Sequence, residues 1–129
     1  MDEQLALETI GDIALRRPVV SHSRGPLEAY LKEIKRIPLI DRETEQKLGK
    51  QIRKGDIGAI QKMAEANVRY VISRVKEYRG CGISFADLIA EGNIGLMEAA
   101  KRFDPKRGCK FTTYATWWIR HAIMQAFAR

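Results

Sequence analysis

Aromatic and basic side chains are interleaved near the carboxyl end of the sequence, and together they could bind nucleic acid. At about 100° per residue, Tyr114, Trp117, Trp118 and His121 share one face of a helix. Cations neutralise phosphates, and aromatic rings stack on bases that have left their duplex. The pattern therefore predicts a surface that binds single strands or opens duplexes. The cations that accompany this face are Arg107, Lys110 and Arg120.

A helix buried on all sides would carry the same aromatic residues, and this alternative stays open at the level of the sequence. The apolar residues that spacing assigns to the core face of this helix are Ala115, Ile119, Ile123, Ala126 and Phe127. Two tryptophans and a tyrosine among cations favour the surface interpretation over a fully buried helix.

A second set of residues, just upstream, is acidic and suits contact with another protein. Ala86, Ala90, Asn93 and Met97 recur at helical spacing away from the expected core stripe, and acidic residues lie beside them. Small, polar and Met side chains edged by carboxylates can receive a helix of a partner. A solvated helix face would show the same pattern. The two carboxylates are those of Asp87 and Glu91.

The net charge of +7 over 129 residues is unevenly distributed. Residues 101–129 contain seven Lys or Arg and one Asp, whereas residues 81–100 contain three acidic residues and no basic ones. Neighbouring segments of opposite sign predict two different partners, one of them a polyanion.

Several classes of protein are excluded by what the sequence lacks. It contains no nucleophile elbow, phosphate-cradling glycine loop or paired carboxylates, so we predict that it is not an enzyme. Cys81 and Cys109 are too few for a disulfide framework or a four-ligand zinc site, so no metal and no cofactor are predicted. No apolar run approaches the roughly 18 residues of a membrane span, and the acidic amino terminus lacks a signal pattern. These features predict a cytoplasmic protein with reduced thiols and no membrane partner.

Helical periodicity without strand alternation predicts an all-α fold, a compact bundle of about five helices. Asp41, Asp56 and Ser84 are expected helix caps, and Pro38 is expected to end the first helix. The expected helices run from residue 26 to just before residue 38, and over about 42–54, 57–78, 85–103 and 113–129. Residues 1–24 are predicted to be a partly flexible extension, with a short helix over 3–17 and a linker over 19–25, and residues 25–129 to form one domain.

Two runs of the sequence resemble bacterial RNA polymerase sigma factors of the sigma-70 family. They are residues 87–97 (DLIAEGNIGLM) and 110–120 (KFTTYATWWIR), and the similarity extends over about residues 25–129. The resemblance implies regions 1.2 and 2, the helical domain that binds core RNA polymerase and melts the promoter −10 element. The short connection between the regions is similar to that of an alternative or stress-type factor. Because the sequence ends at Arg129, we expect a fragment without the family's −35-binding domain.

The resemblance also implies roles for individual residues in binding the non-template strand of promoter DNA. Trp117 and Trp118 correspond to the wedge at the upstream fork of the opened duplex, and Tyr114 to the ring that stacks on the flipped −11 adenine. Positions implied in the adenine pocket and its backbone contacts are Phe103, Lys110 and Thr113. Asn67 and Leu31 correspond to the −7 thymine pocket, and Lys32 to the approach to the discriminator.

A separate set of positions is implied in docking on the clamp coiled coil of the polymerase largest subunit. They are Asp87, Ala90, Glu91, Asn93 and Met97, with Ala90 replacing a common Gln. An anti-sigma or other regulatory protein is a further candidate partner.

Three residues depart from the family pattern. His121 and Met124 replace the Gln and Thr that often read the −12 base pair, and Cys109 replaces an aromatic residue of the adenine pocket. Met offers almost no hydrogen-bonding geometry in the major groove. We therefore expect altered or relaxed −12 preference, with recognition at −11 and −7 retained. The charge and aromatic pattern alone leave two alternatives open, a sequence-tolerant single-strand binding module and a protein-interaction domain.

Overall fold

A computed structural model describes residues 25–129, which form six α-helices and two short 3-10 turns. The helices are α1 (Gly25–Ile34), α2 (Arg42–Arg53), α3 (Ile57–Ala66), α4 (Val68–Val75), α5 (Phe85–Arg102) and α6 (Phe111–Ala128), and the 3-10 turns are Lys76–Tyr78 and Pro105–Arg107. Over these residues there is no strand, so the all-α prediction is confirmed with one helix more than expected. The helix predicted over residues 3–17 and nearly all of the 19–25 linker lie outside the described residues, and Gly25 is already helical.

The helix starts follow from local sequence. The Asp41 carboxylate accepts a hydrogen bond from the Thr44 backbone N–H at 2.8 Å, and this bond lowers the pKa of Asp41. Asp56 caps α3 at 3.2 Å, and Ser84 caps α5 at 3.1 Å. Each cap satisfies a donor that the first helical turn leaves unpaired, which confirms the three predicted starts.

The long helix predicted over residues 57–78 is wrong, because the chain leaves helical geometry at Asn67. The backbone there has φ −116° and ψ 8°, and the Asn67 side-chain amide donates to the Met63 carbonyl at 2.8 Å. Asn competes in this way with the helical hydrogen-bond ladder. The apolar stripe continues across the break into buried Val68 and Val71, so periodicity gave no sign of it.

Helix α5 packs closely on two neighbouring helices at two of its glycines, on α6 at Gly95 and on α4 at Gly92. A Cβ at Gly95 would lie 2.4 Å from the Trp118 carbonyl oxygen and 2.7 Å from the Ile119 Cα. A Cβ at Gly92 would lie 2.7 Å from Val71 Cγ1 of α4. Helix α5 also contacts α2 and α3, so it is the central helix of the bundle.

The core face of α6 was predicted only in part. Ala115, Ile119 and Ile123 are buried as expected, but Phe127 is partly exposed beyond the bundle and contacts the Tyr78 ring with centroids 6.3 Å apart. Phe111 is buried instead, because α6 begins two residues earlier than predicted and this ring packs into the core.

Two further sequence expectations can be compared with the structure. Cys81 and Cys109 are both free thiols. Among residues 25–129, no helix is both long and apolar enough to cross a membrane.

The substitution Gly95→Ala should lower the free energy of unfolding by at least about 2 kcal/mol, because the new methyl group meets backbone atoms that cannot rotate away. The expected sign opposes helix propensity, which favours Ala by about 1 kcal/mol. Chemical denaturation of the 129-residue chain measures the change. The matched control is Ala86→Gly at an exposed position of α5, with an expected loss of about 1 kcal/mol. Unchanged or increased stability of Gly95→Ala would contradict the close helix contact.

Candidate nucleic-acid interface

The predicted aromatic residues of α6 form a continuous row of ring contacts. The Tyr114 and Trp118 rings have centroids 6.4 Å apart, and Trp118 meets Trp117 edge-to-face at 4.9 Å. Trp117 in turn stacks on His121 at 5.0 Å, with 7° between the ring planes. Trp117 is 59% exposed, so the alternative of a helix buried on all sides is wrong. We call these four residues the aromatic row.

Phe103 lies beneath the aromatic row and does not reach the surface. Its ring is buried, packs edge-to-face on Phe111 at 5.3 Å, and lies 6.2 Å from the Tyr114 ring. The chain turns directly after α5 at this residue and directs the ring into the core. Phe103 therefore supports Tyr114 from below. The resemblance had instead implied that Phe103 belongs to the residues that contact DNA.

Arg102, which sequence reasoning missed, adds a cation to the aromatic row from the end of α5. Its guanidinium lies over the Trp118 ring at 4.9 Å. Glu98 forms ion pairs with both Lys101 and Arg102. Burial raises the pKa of the Glu98 carboxyl, but the two cations outweigh this effect and the pKa is lowered overall. The contact joins residues of two helices, so spacing along one helix could not reveal it.

Asn67 and Lys110 line one small pocket of about 260 Å³. The remaining lining residues, none of which the sequence had singled out as a site, are Leu39, Ile40, Arg42, Glu45, Ala66 and Thr112. Glu45 is buried in the wall of the pocket and accepts a 3.1 Å hydrogen bond from Arg42. The pocket therefore combines apolar, cationic, anionic and amide groups, which suits a planar polar ligand.

Leu31, predicted to share a pocket with Asn67, lines a separate depression of about 450 Å³ on α1 and α4. The cationic side chains around it are Lys35, Arg69 and Lys76. The structure thus does not place Leu31 beside Asn67 in the smaller pocket. Other predicted DNA-binding residues are exposed: Lys32, Lys110, Thr113, Arg120, His121 and Met124.

The acidic side of α5 is smaller than the sequence predicted. Asp87 is exposed, whereas Asn93 and Met97 are 2% and 0% exposed, so their predicted place on an outer strip is wrong. Four other helices pack against α5, so residues outside its predicted apolar stripe are buried as well. Glu91 pairs with Arg129 at 2.8 Å. Ile94, which was missed, is 49% exposed at i+3 from Glu91.

The buried amide of Asn93 lies beside the Tyr30 hydroxyl of α1. Neither group makes a hydrogen bond of ordinary geometry within the described residues. Burial raises the pKa of the Tyr30 phenol to about 12, so this hydroxyl keeps its proton at neutral pH. The pair is a polar contact inside the core and not part of a docking surface.

Comparison with protein families matches nearly all of the described chain. The family "Sigma-70 factor, region 1.2" matches residues 25–56, and "Sigma-70 region 2" matches residues 63–129. The chain belongs to the sigma-70 family.

Curated relatives in this family are sigma factors of other bacteria. The chain is 53% identical over 103 residues to RNA polymerase sigma factor SigA of Clostridium acetobutylicum, covering 80% of this chain and 27% of the relative. SigA of Listeria monocytogenes is likewise 53% identical over 103 residues, covering 80% of this chain and 28% of the relative. SigA of Lactococcus lactis subsp. cremoris is 47% identical over 131 aligned positions, covering 98% of this chain and 36% of the relative. The chain spans about a quarter to a third of the length of these relatives.

The two sigma-70 regions divide the candidate site unequally. The aromatic row and the acidic side of α5 lie within region 2. The 260 Å³ pocket takes Leu39, Ile40, Arg42 and Glu45 from region 1.2 and its other lining residues from region 2. This pocket therefore exists only when the two regions are packed together.

The burial of Met97 can be tested with a pair of matched substitutions. Met97→Ala should lower the free energy of unfolding by about 2–5 kcal/mol, because it opens a cavity in the core. Met124→Ala removes the same side chain from a site that is 41% exposed, and we expect a change below about 0.5 kcal/mol. Urea denaturation of the free chain measures both. Equal small effects would show that Met97 is on the surface after all.

Proposed function

We propose that this sigma-70 family chain acts in transcription initiation, binding core RNA polymerase and recognising the promoter −10 element by capturing bases of the non-template strand. The observation that carries the proposal is the aromatic row, in which the Trp117 indole is exposed and packs on Trp118, while the Tyr114 ring lies against buried Phe103. Family membership favours this role over a sequence-tolerant single-strand binding module. No catalysis by the chain is involved, and the proposed setting is the bacterial cytoplasm.

Opening of the duplex follows from where the rings stand. Trp117 and Trp118 meet edge-to-face, and the exposed Trp117 indole is available to take the place of a base pair at the fork. Tyr114 lies next to them on buried Phe103 and offers a ring on which the −11 adenine stacks once it leaves the duplex. Each stacked base contributes about 1–3 kcal/mol. This binding energy shifts the equilibrium from duplex to opened DNA.

The 260 Å³ pocket lined by Asn67 and Lys110 provides a binding site for a second base of the same DNA strand. Lys110 precedes α6 and is exposed beside the pocket, so it is available to a backbone phosphate. Asn67 and the pocket walls offer amide and carboxylate groups to a base edge. We assign the −7 thymine to this pocket, with Leu31 and Lys32 of α1 on the path of the strand toward the discriminator.

The substitution Trp117→Ala should remove most promoter opening, and the double substitution Trp117→Ala/Trp118→Ala should remove more of it. The reason is that these rings stack where the separated base pair stacked before. We expect at least a tenfold loss of open complex, measured by permanganate reactivity of unpaired thymines with core polymerase present. Binding to core polymerase should be unchanged. The matched control is Phe127→Ala, which removes a partly exposed aromatic ring from the same helix and should leave opening intact. Normal opening by the double variant would refute the wedge assignment.

The acidic side of α5 is the proposed contact for core polymerase. Asp87, Ala90, Glu91 and Ile94 lie at i, i+3, i+4 and i+7, so they form one accessible stripe. Carboxylates beside an exposed apolar side chain suit a basic helical surface such as the clamp coiled coil. Asn93 and Met97 contribute from the core, by fixing the position of α5.

The double substitution Asp87→Ala/Glu91→Ala should weaken binding to core polymerase at least tenfold, because both carboxylates of the accessible stripe are removed. A pull-down with core polymerase at several salt concentrations measures this loss. The control with the same change in net charge is Glu43→Ala/Glu77→Ala, which removes two carboxylates held in exposed ion pairs on other elements. Equal binding by the two double variants would contradict a docking role for α5.

A further inference from the structure

A depression between α4 and α6 lies on the flank of the aromatic row, and the proposed function has not used it. Its volume is about 280 Å³, and it is lined by two arginine side chains, Arg74 of α4 and Arg120 of α6. At about 100° per residue, Arg120 stands roughly 60° around α6 from Trp117. The depression therefore begins beside the residue proposed to meet the fork. Its other lining residues are Glu77, Tyr78, Thr116 and Ile119.

The guanidinium of Arg74 is held from two sides. It lies over the Tyr70 ring at 5.7 Å, and its Nη2 atom contacts the Glu77 carboxylate at 2.8 Å. Tyr70 is itself joined to α6, because its hydroxyl hydrogen-bonds to Thr116 Oγ1, which donates its own proton to the Thr112 carbonyl at 2.8 Å. These contacts connect α4 to α6, so the motion of Arg74 relative to α6 is restricted before any ligand arrives.

The two arginines leave positive charge in the depression that the chain does not neutralise. Glu77 is the acidic residue of the lining, so two guanidiniums face one carboxylate. The Arg74 Nε atom is buried and makes no hydrogen bond within residues 25–129, and in the same part of the chain Arg120 is exposed and forms no ion pair. Guanidinium groups bind phosphate through a planar fork of N–H donors. The anion that suits the depression is therefore a phosphate.

A backbone phosphate of DNA is the anion that the proposed function brings to this place. If the fork lies at Trp117, intact duplex begins there, and each of its strands carries a phosphate about every 3.4 Å along the axis. Arg120 follows Trp117 by three residues, which is about 4.5 Å along α6. A strand that leaves the fork on the α4 side of α6 therefore presents a phosphate to both arginines.

We propose that Arg74 and Arg120, the arginine pair, bind a backbone phosphate of the duplex immediately upstream of the fork. The assignment to promoter DNA rests on the proposed function, whereas the shared depression is a property of the free chain. Phosphate contacts fix the register of a protein on DNA without reading its sequence. The arginine pair thus holds the duplex against α6 while bases downstream are captured. Glu77 limits its affinity, because the carboxylate repels the phosphate that Arg74 attracts.

The salt dependence of DNA binding tests the arginine pair, with the full 129-residue chain and core polymerase present. One DNA is a promoter fork with duplex upstream of the −10 element, and the other is the single non-template −10 strand. Arg74→Ala should weaken fork binding about three- to tenfold and reduce the steepness of log K against log salt by about one. Binding of the single strand should be unchanged. The matched control is Arg53→Ala, which removes an exposed arginine from the end of α2 and should leave the slope unchanged.

The substitution Glu77→Gln separates phosphate binding from a structural role of Arg74. With a phosphate beside Arg74, removal of the carboxylate should strengthen fork binding about two- to threefold, because a like charge is removed. If Arg74 only holds α4 in place through its ion pair with Glu77, then Glu77→Gln should weaken binding as Arg74→Ala does. That result would overturn the inference.

The remaining outcomes separate the arginine pair from the proposed function. An equal slope in Arg74→Ala and Arg53→Ala, or an equal loss on the fork and on the single strand, would overturn the inference. Loss of core binding in Arg74→Ala without a change on DNA would assign the depression to a carboxylate of the polymerase and overturn it as well. Equal binding of consensus and scrambled −10 strands by the wild-type chain would instead refute the proposed function. Because phosphate contacts carry no sequence information, the slope change in Arg74→Ala is still measured on scrambled forks.

Discussion

The close contact between α5 and α6 is the constraint on which the rest of the structure depends. Two glycines of α5 remove the side chains that would hold the neighbouring helices apart, and at Gly95 the backbone of α6 occupies the space of a missing methyl group. Once α6 is seated there, its rotation is fixed. Ala115, Ile119 and Ile123 face the core, and the aromatic row faces outward.

The aromatic row depends on support from below and from one side. Buried Phe103 and Phe111 form an edge-to-face pair under Tyr114, and Arg102 covers part of Trp118. Large rings at a surface are normally free to collapse onto the nearest apolar patch. Here the rings contact core rings, a cation and His121, so the proposed stacking on a base would not first have to order them.

The two proposed interfaces lie on helices that touch along their length. The ion pair between Glu91 of α5 and Arg129 after α6 joins the acidic stripe to the end of the helix that carries the aromatic row. An exposed ion pair contributes at most about 1 kcal/mol, so a basic partner can displace Arg129 from Glu91 at small cost. The proposed docking stripe and the carboxyl end of α6 are therefore joined by a contact for which a basic partner would compete.

The sequence by itself determined features that depend on neighbouring residues. Asp41, Asp56 and Ser84 fixed the helix starts, and helical spacing put the aromatic residues on one face of α6. Tertiary structure alone decided how much of each helix is covered, because burial depends on how many distant segments pack against it. Four neighbours buried Asn93 and Met97 of α5, and packing of region 1.2 on region 2 made the pocket around Asn67. The spacing of residues along a helix also does not predict side-chain contacts. One such contact is the Asn67 hydrogen bond at the break between α3 and α4, and another is the stacking of His121 on Trp117.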